Sequence, residues 1–293
     1  MRVFITGGTG LIGSAVIAEL IGHGHSVVAL VRSDASAQAA EAMGAEPIRG
    51  ALADHEALRA GAAKADGVIH LAFSHDFSSV EALTKAVAEE GAALTTLGEA
   101  LAGSNRVLVT VSGTPMAQGR ASVESDPIST EGTLGGRGRA AMAALALAAR
   151  GVRSVAIRLP RTVHNNGNGG FAGILTSIAR QSGVSGYPGD GQQRWPAVHA
   201  LDAAVLFRIA LERAEAGTTW HAVDDEGDKV SDIAAVIGRR LGVPAQSVPA
   251  ESFGPLGPIF SADQPSSSAY TQQTLGWQPK HAHLLADLEN IQA

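Results

Sequence analysis

The residues Arg2-Val-Phe-Ile-Thr6 run straight into Gly7-Gly8-Thr9-Gly10-Leu11-Ile12-Gly13, and a helix-forming stretch follows. Glycines 7, 10 and 13 recur at every third position. Gly7 suits a tight turn, Gly10 lets backbone approach a pyrophosphate, and Gly13 lets a helix sit close to the preceding strand. Thr9, Leu11 and Ile12 would turn backbone N–H groups toward the phosphates at the positive end of the helix. An ordinary glycine turn is the bland alternative, but a strand before the loop and a helix after it are the context that dinucleotide binding requires. A second group lies at the end of the next apolar run, Leu30-Val31-Arg32-Ser33. A guanidinium beside a hydroxyl suits a ribose 2′-phosphate, whereas NAD sites place a carboxylate there. The alternative for Arg32 is a solvated strand end; the spacing favours NADP(H).

Groups suited to proton and oxygen chemistry are scattered. Ser112 and Thr114 follow the apolar run Arg106–Val111 and could hydrogen-bond a reacting oxygen, or be satisfied by backbone. Arg139 could stabilise an anion electrostatically but cannot act as an acid, because guanidinium stays charged. His75 follows an apolar run and has an acidity matched to neutral pH. Tyr187 lies in a glycine-rich stretch. His164 falls in His-Asn-Asn-Gly-Asn-Gly-Gly, a loop sequence, and is a weaker donor candidate. His70 reads as a strand residue packed beside a sheet. His281 and His283 have no carboxylate or thiol cluster beside them, so no metal site is expected.

The elements that must hold these groups follow from pattern. Strands are predicted at Arg2–Thr6, Ser26–Arg32, Ala45–Arg49, Gly67–Ala72, Arg106–Val111 and Val152–Leu159, as short β-branched runs bounded by Gly, Asp or Ser. Helices are predicted at Leu11–Gly24, Ala35–Met43, His55–Ala62 with Asp54 as N-cap, Val80–Ala102 and Arg139–Arg150. Continuous apolar strands alternating with helices imply a parallel sheet covered on both faces, a doubly wound α/β Rossmann domain. After Pro160 the texture changes. His164–Gly170 and Gly186–Arg194 read as loops, and Asp202–Glu215 as a helix. Thr218–Val223 reads as a strand, Ser231–Leu241 as a helix capped by Ser231, and Pro249–Ser268 as irregular. The expected division is a dinucleotide domain, 1–163 plus 197–224, and a small C-terminal substrate lobe, 164–196 plus 225–293.

Composition narrows the chemistry. The 293 residues carry Lys+Arg 22 against Asp+Glu 28, a net charge of −6, with no cysteine and two tyrosines. Without cysteine there is no thiol nucleophile, disulfide or iron–sulfur ligand. The acidic balance speaks against nucleic acid and anionic membranes. No apolar run reaches the ~18 residues of a membrane span, and no signal peptide is read, so a soluble cytoplasmic protein is expected.

These motifs resemble the short-chain dehydrogenase/reductase superfamily in its extended or atypical branch, over nearly the whole chain. Thr6–Gly13 resembles its T-G-x-x-G-x-x-G. Gly50-Ala51-Leu52 stands where the family has Gly-Asp-Leu, so backbone contacts from Leu52 are implied. Val68–Ala72 resembles the segment passing the cofactor, which implies contacts at Leu71, Ala72 and Phe73. Val109–Thr114 resembles the strand end carrying the active-site serine, with Val111 beside the cofactor. Arg158-Leu159-Pro160 resembles the strand end that touches the nicotinamide. Trp195–His199 with Asp202, and Leu275–Pro279, resemble pieces of the substrate lobe. The Tyr-x-x-x-Lys motif is missing: Gly135 aligns with the tyrosine and Arg139 with the lysine.

The resemblance implies an NADPH-dependent oxidoreductase that reduces a small, fairly apolar carbonyl or imine without the usual tyrosine. The alternatives are a non-catalytic NADP-binding sensor and, disfavoured by the missing tyrosine, a sugar-nucleotide epimerase or dehydratase. The Ala- and Gly-rich helices Val80–Ala102 and Arg139–Arg150 suggest a homodimer, unless they simply cover the sheet.

Overall fold

The structure, a computed structural model, describes residues 1–74, 76, 79–132 and 135–292. In chain order the elements are β1 (Arg2–Thr6), α1 (Leu11–Gly22), β2 (Ser26–Val31), α2 (Asp34–Ala42), β3 (Glu46–Arg49), α3 (His55–Ala63) and β4 (Gly67–His70). Next come α4 (Val80–Leu101), β5 (Val107–Gly113), α5 (Gly135–Ala146), β6 (Arg153–Leu159), β7 (Thr162–His164), α6 (Gly170–Ser182) and β8 (Ser185–Pro188). β9 (Arg194–His199), α7 (Ala200–Arg213), β10 (Thr218–His221), β11 (Asp225–Lys229), α8 (Val230–Leu241) and β12 (Ala245–Val248) follow. The chain closes with the short helices α9 (Gly257–Phe260), α10 (Ala269–Leu275) and α11 (Leu284–Asp287).

Two compact units emerge. The first comprises Met1–Ser112, Ser129–Arg158 and Ala203–Trp220; the second comprises Gly113–Ile128, Leu159–Asp202 and His221–Ala293.

The first unit is built on a seven-stranded sheet of order β10-β6-β5-β4-β1-β2-β3. β1 pairs in parallel with β2 and β4, so the chain winds outward in both directions from β1. Ligands of open α/β sheets bind at such a reversal, beyond the carboxyl ends of the strands. The central strands β1, β2, β4, β5 and β6 are largely apolar and buried, as strands of a parallel sheet covered on both faces must be. Phe4, Val68 and Leu108 share one face of the sheet with Leu58 of α3 and Leu97 and Leu101 of α4 in a single buried cluster. Asp54 caps α3 as expected, its carboxylate accepting the Ala57 N–H at 3.0 Å. α5 starts four residues earlier than its pattern suggests, on Gly135. Helix propensity disfavours Gly135, Gly136 and Gly138 there, but close packing overrides it: a Cβ on Gly136 would lie 2.3 Å from Val87 of α4.

The second unit holds a three-stranded sheet, β11-β9-β7, and a two-stranded one, β12-β8. The two stretches expected to be loops therefore carry structure. His164 closes β7, Gly170 opens α6, and Gly186–Arg194 contains most of β8 and the first residue of β9. These strands are short and polar, and form because long-range partners complete their hydrogen bonds. Ser231 does not cap α8. That helix begins at Val230, and the N–H groups of Val230 and Ser231 donate to the carbonyls of Gln193 and Gly191, each at 3.0 Å. Among the described residues, no helix is long and apolar enough to cross a membrane.

Candidate functional site

The glycine loop is shaped by hard contacts. Gly7 has φ +73°, a left-handed conformation that other residues rarely adopt. A Cβ on it would lie 2.8 Å from the Ala72 nitrogen and 2.9 Å from the Leu71 carbonyl carbon. A Cβ on Gly13 would lie 2.1 Å from the Gly7 oxygen and 2.7 Å from the Gly8 Cα, so α1 rests directly on the loop. At Gly10 the nearest atom to a Cβ would be the Gly7 oxygen at 3.5 Å. Gly10 is exposed and caps α1 without a side-chain hydrogen bond. The first N–H groups of α1 thus have no side-chain cap among the described residues, as a pyrophosphate site requires. Thr9 is exposed beside them.

Leu71–Phe73 flank this loop. The Leu71 N–H donates to the Thr6 carbonyl at 3.1 Å, and the Ala72 N–H to the Thr6 hydroxyl at 3.3 Å. At the end of β2, Arg32 is exposed and forms no ion pair among the described residues. Asp34, the nearby acid, is engaged by the Arg49 guanidinium. Ser33 caps α2 in a capping box with Ser36, accepting its N–H at 3.2 Å. Leu52 is half-buried against the core, beyond Gly50, whose N–H donates to the Val31 carbonyl.

A polar row crosses the sheet behind the loop. Thr6 of β1 is level with His70 of β4, their Oγ1 and Nδ1 2.8 Å apart. The arrangement that uses every group has the Thr6 hydroxyl accepting from Ala72 and donating to Nδ1, which leaves the His70 proton on Nε2. Burial, aided by the nearby Arg137 charge, lowers the His70 pKa to about 4, so the ring is neutral. On β5 the buried hydroxyls of Thr110 and Ser112 have no partner among the described residues, and neither does His70 Nε2. Val111 is buried between them.

Above the row, Arg137 of α5 grips Glu90 of α4 through Nε and Nη2, both at 2.8 Å. Its guanidinium stacks over the Phe73 ring, 4.1 Å from the centroid. Glu90 is buried. Spacing pointed to Arg139, but Arg139 is exposed and donates to the Thr130 carbonyl. Arg137 and Glu90 were not singled out from the sequence. Their signal is that Glu90 falls on the apolar stripe Leu83, Ala86, Ala93, Leu97, where a carboxylate needs a cation. His75 lies outside the described residues.

The remaining candidates belong to the second unit. Pro160 and Thr114 are buried, the Thr114 N–H donating to the Leu159 carbonyl at 2.9 Å. The Gln264 amide holds the Thr114 carbonyl and lies 3.3 Å from its hydroxyl. Tyr187 is half-buried on β8, its ring covering Gly191. His164 is no loop donor: it is buried, with Nδ1 2.9 Å from the Asp287 carboxylate, which also accepts the N–H groups of Asn166 and Gly167 at 3.0 Å. His281 and His283 do have carboxylates, brought from far along the chain. Asp202 lies 2.8 Å from His281 Nδ1, and Asp225 lies 2.5 Å from His283 Nδ1. Among the described residues, no group of three or more His, Asp or Glu is disposed to hold a metal ion. Asp202 also accepts the N–H groups of Lys280 and His281, and its carbonyl accepts the Trp277 indole N–H at 2.9 Å. It thereby ties β9's continuation to the C-terminal Trp277 segment.

A model of the NAD dependent epimerase/dehydratase family matches residues 3–223. The chain belongs to that family. Its type is therefore that of the short-chain oxidoreductases, epimerases and dehydratases, and its cofactor is a nicotinamide dinucleotide. It is similar to the Uncharacterized protein C2A9.02 of Schizosaccharomyces pombe, 41% identical over 98% of both chains. It is also similar to a 4-hydroxy-2-methyl-3-oxo-4-farnesyl-3,4-dihydroquinoline-1-oxide ketoreductase of Stigmatella aurantiaca, 46% identical over 25% of this chain and 22% of the relative. Among solved structures it resembles the dTDP-glucose 4,6-dehydratase DesIV of Streptomyces venezuelae with NAD and TYD bound. The TM-score is 0.79 at 17% identity, covering 99% of this chain and 96% of that one. In this member of the family, α5 opens without room for a side chain. A Cβ on Gly135 would lie 2.4 Å from the carbonyl carbon and oxygen of Thr130.

Proposed function

We propose that the protein is an NADPH-dependent reductase of a small, fairly apolar carbonyl or imine. The observation that carries this reading is the free Arg32 at the end of β2, beside an acid, Asp34, already neutralised by Arg49. A 2′-phosphate there would meet a cation rather than the carboxylate that selects the 2′-hydroxyl. The Gly7–Gly13 loop and the α1 N-terminus would hold the pyrophosphate. Ser33 with the α2 N-terminus would assist Arg32. Leu52, Leu71, Ala72, Phe73, Val111 and Pro160 would line the remainder. When bound, the reduced cofactor supplies a hydride to the electrophilic carbon. The unpartnered Ser112 hydroxyl is suited to hydrogen-bond the substrate oxygen or nitrogen. Arg137, whose Nη1 has no acceptor among the described residues, is suited to stabilise negative charge there. Thr114, His75, Tyr187 or a water would complete the proton path, and the pH profile of kcat separates a histidine from a tyrosine.

The test is oxidation of NADPH and NADH against ketones, aldehydes and imines, with Arg32→Glu and Ser112→Ala alongside. NADPH should be preferred, and Arg32→Glu should reverse the preference; indifference to that change refutes the cofactor assignment. A second reading, a non-catalytic NADP sensor, draws on the sealed Gly135 position. It requires unequal affinities for oxidised and reduced cofactor by calorimetry and no turnover on the panel. A homodimer through α4 and α5 is proposed on their small residues and the exposed Met142; light scattering at micromolar concentration tests it.

A further inference from the structure

Arg161, in the second unit, follows directly on Pro160. Its Nη1 donates to the Ile259 carbonyl at 2.7 Å, while its Nε is buried and has no acceptor among the described residues. It makes no ion pair among the described residues. Burial alone pulls its pKa down to about 10, and no carboxylate acts to raise it. The guanidinium lies over two rings, 5.5 Å from the centroid of Phe171 and 6.0 Å from that of Trp195. Those rings pack on Phe260, which is 5.4 Å from Phe171 and 5.1 Å from Trp195. The Trp195 indole N–H is also buried and also lacks an acceptor among the described residues.

Buried N–H groups are nearly always satisfied, and a buried cation is normally paired. Here both exceptions fall on two side chains in ring contact. What they lack in common is an acceptor, and what the cation lacks is negative charge. With Nη1 committed to Ile259, the buried Nε is left without an acceptor among the described residues, and the Nε/Nη2 edge of a guanidinium matches a planar carboxylate through two parallel hydrogen bonds. Arg161 retains some exposure, which leaves an approach.

We infer that Arg161 and Trp195 form a carboxylate-binding site for a substrate whose apolar or aromatic body rests against Phe171. The carboxylate would belong to the carbonyl substrate of the proposed reductase, and to that extent the inference rests on that reading. The site itself needs only the second unit's own residues.

Calorimetry on the intact protein without cofactor, with benzoate, benzamide and inorganic phosphate, tests it. Benzoate should bind at one site, with benzamide roughly tenfold weaker or worse for want of charge. Arg161→Met should abolish benzoate binding without lowering the melting temperature of the free protein, because it removes an unpaired buried charge. Trp195→Phe, which keeps a ring and removes the N–H, should weaken benzoate several-fold and serves if Arg161→Met does not fold. Equal binding of benzoate and benzamide, no benzoate binding at millimolar concentration, or tighter phosphate binding each overturns the inference. NADPH turnover of benzoylformate against its methyl ester separates the two readings. Benzoate binding without turnover would sink the reductase and leave the site; equal turnover of acid and ester without benzoate binding would do the reverse.

Discussion

Replacing Glu90 by Gln removes one charge from the pair that joins α4 to α5 while nearly preserving shape. Both Glu90 oxygens accept from Arg137 at 2.8 Å, and the Glu90 side chain is 2% exposed against 24% for Arg137. Breaking a fully buried pair costs about 3–5 kcal/mol, because the surviving charge loses its partner. Arg137 keeps partial access to water, and glutamine retains one acceptor, so we expect about 2–3 kcal/mol. In a chain of this size each kcal/mol moves the midpoint by roughly 2–4 °C, giving a fall of about 5–10 °C by calorimetry. The double variant Glu90→Met with Arg137→Met should lose less than the two single variants added together, since it leaves no orphaned charge. The His70 imidazole is a second reporter. Arg137 contributes to lowering its pKa, so Arg137→Met should raise that value from about 4, leaving it below 6.5 because burial is the larger cause. A midpoint shift under about 2 °C for Glu90→Gln, together with an unmoved His70 titration by NMR, would refute the reasoning.

Two further outcomes follow from the same unit. Gly13→Ala places a Cβ against immovable backbone of Gly7 and Gly8, so the protein should lose about 1–3 kcal/mol of stability and bind NADPH far more weakly; unchanged affinity by fluorescence titration would contradict the cradle. His70, with a folded pKa of about 4, takes up its proton later than in the unfolded chain. Its contribution is complete above pH 6.5 and is lost as pH falls toward 4, by up to about 3 kcal/mol. His70→Gln should flatten the chemical-denaturation midpoint across that window.

The centre of the first unit was legible because β1, β2, β4, β5 and β6 are largely apolar and buried, and α1 to α4 open on a glycine or a capping side chain. β1 falls on the expected residues, and Asp54 caps α3. The second unit was not, because strands such as β11, Asp-Glu-Gly-Asp-Lys, carry no periodic apolar signal and exist by pairing with β9. The tight packing of the Gly7–Gly13 loop between β1 and α1 was readable from local spacing. Arg137 was not, since its partner lies 47 residues away. Arg161 was hidden for a different reason: what marks it is a missing partner, and absence of a contact leaves no trace in a sequence.

The contact between position 135 and Thr130 also bears on how such an active site can change over generations. Because the obstruction is backbone, trimming a neighbouring side chain does not relieve it. A tyrosine arriving at 135 by a single substitution would displace the segment before α5 rather than complete a motif. Accommodating a side chain at 135 would take a rebuilt approach to the helix, which a substitution at that position alone does not supply. What this end of α5 can carry is thus set by the course of the chain before it rather than by residue 135 alone.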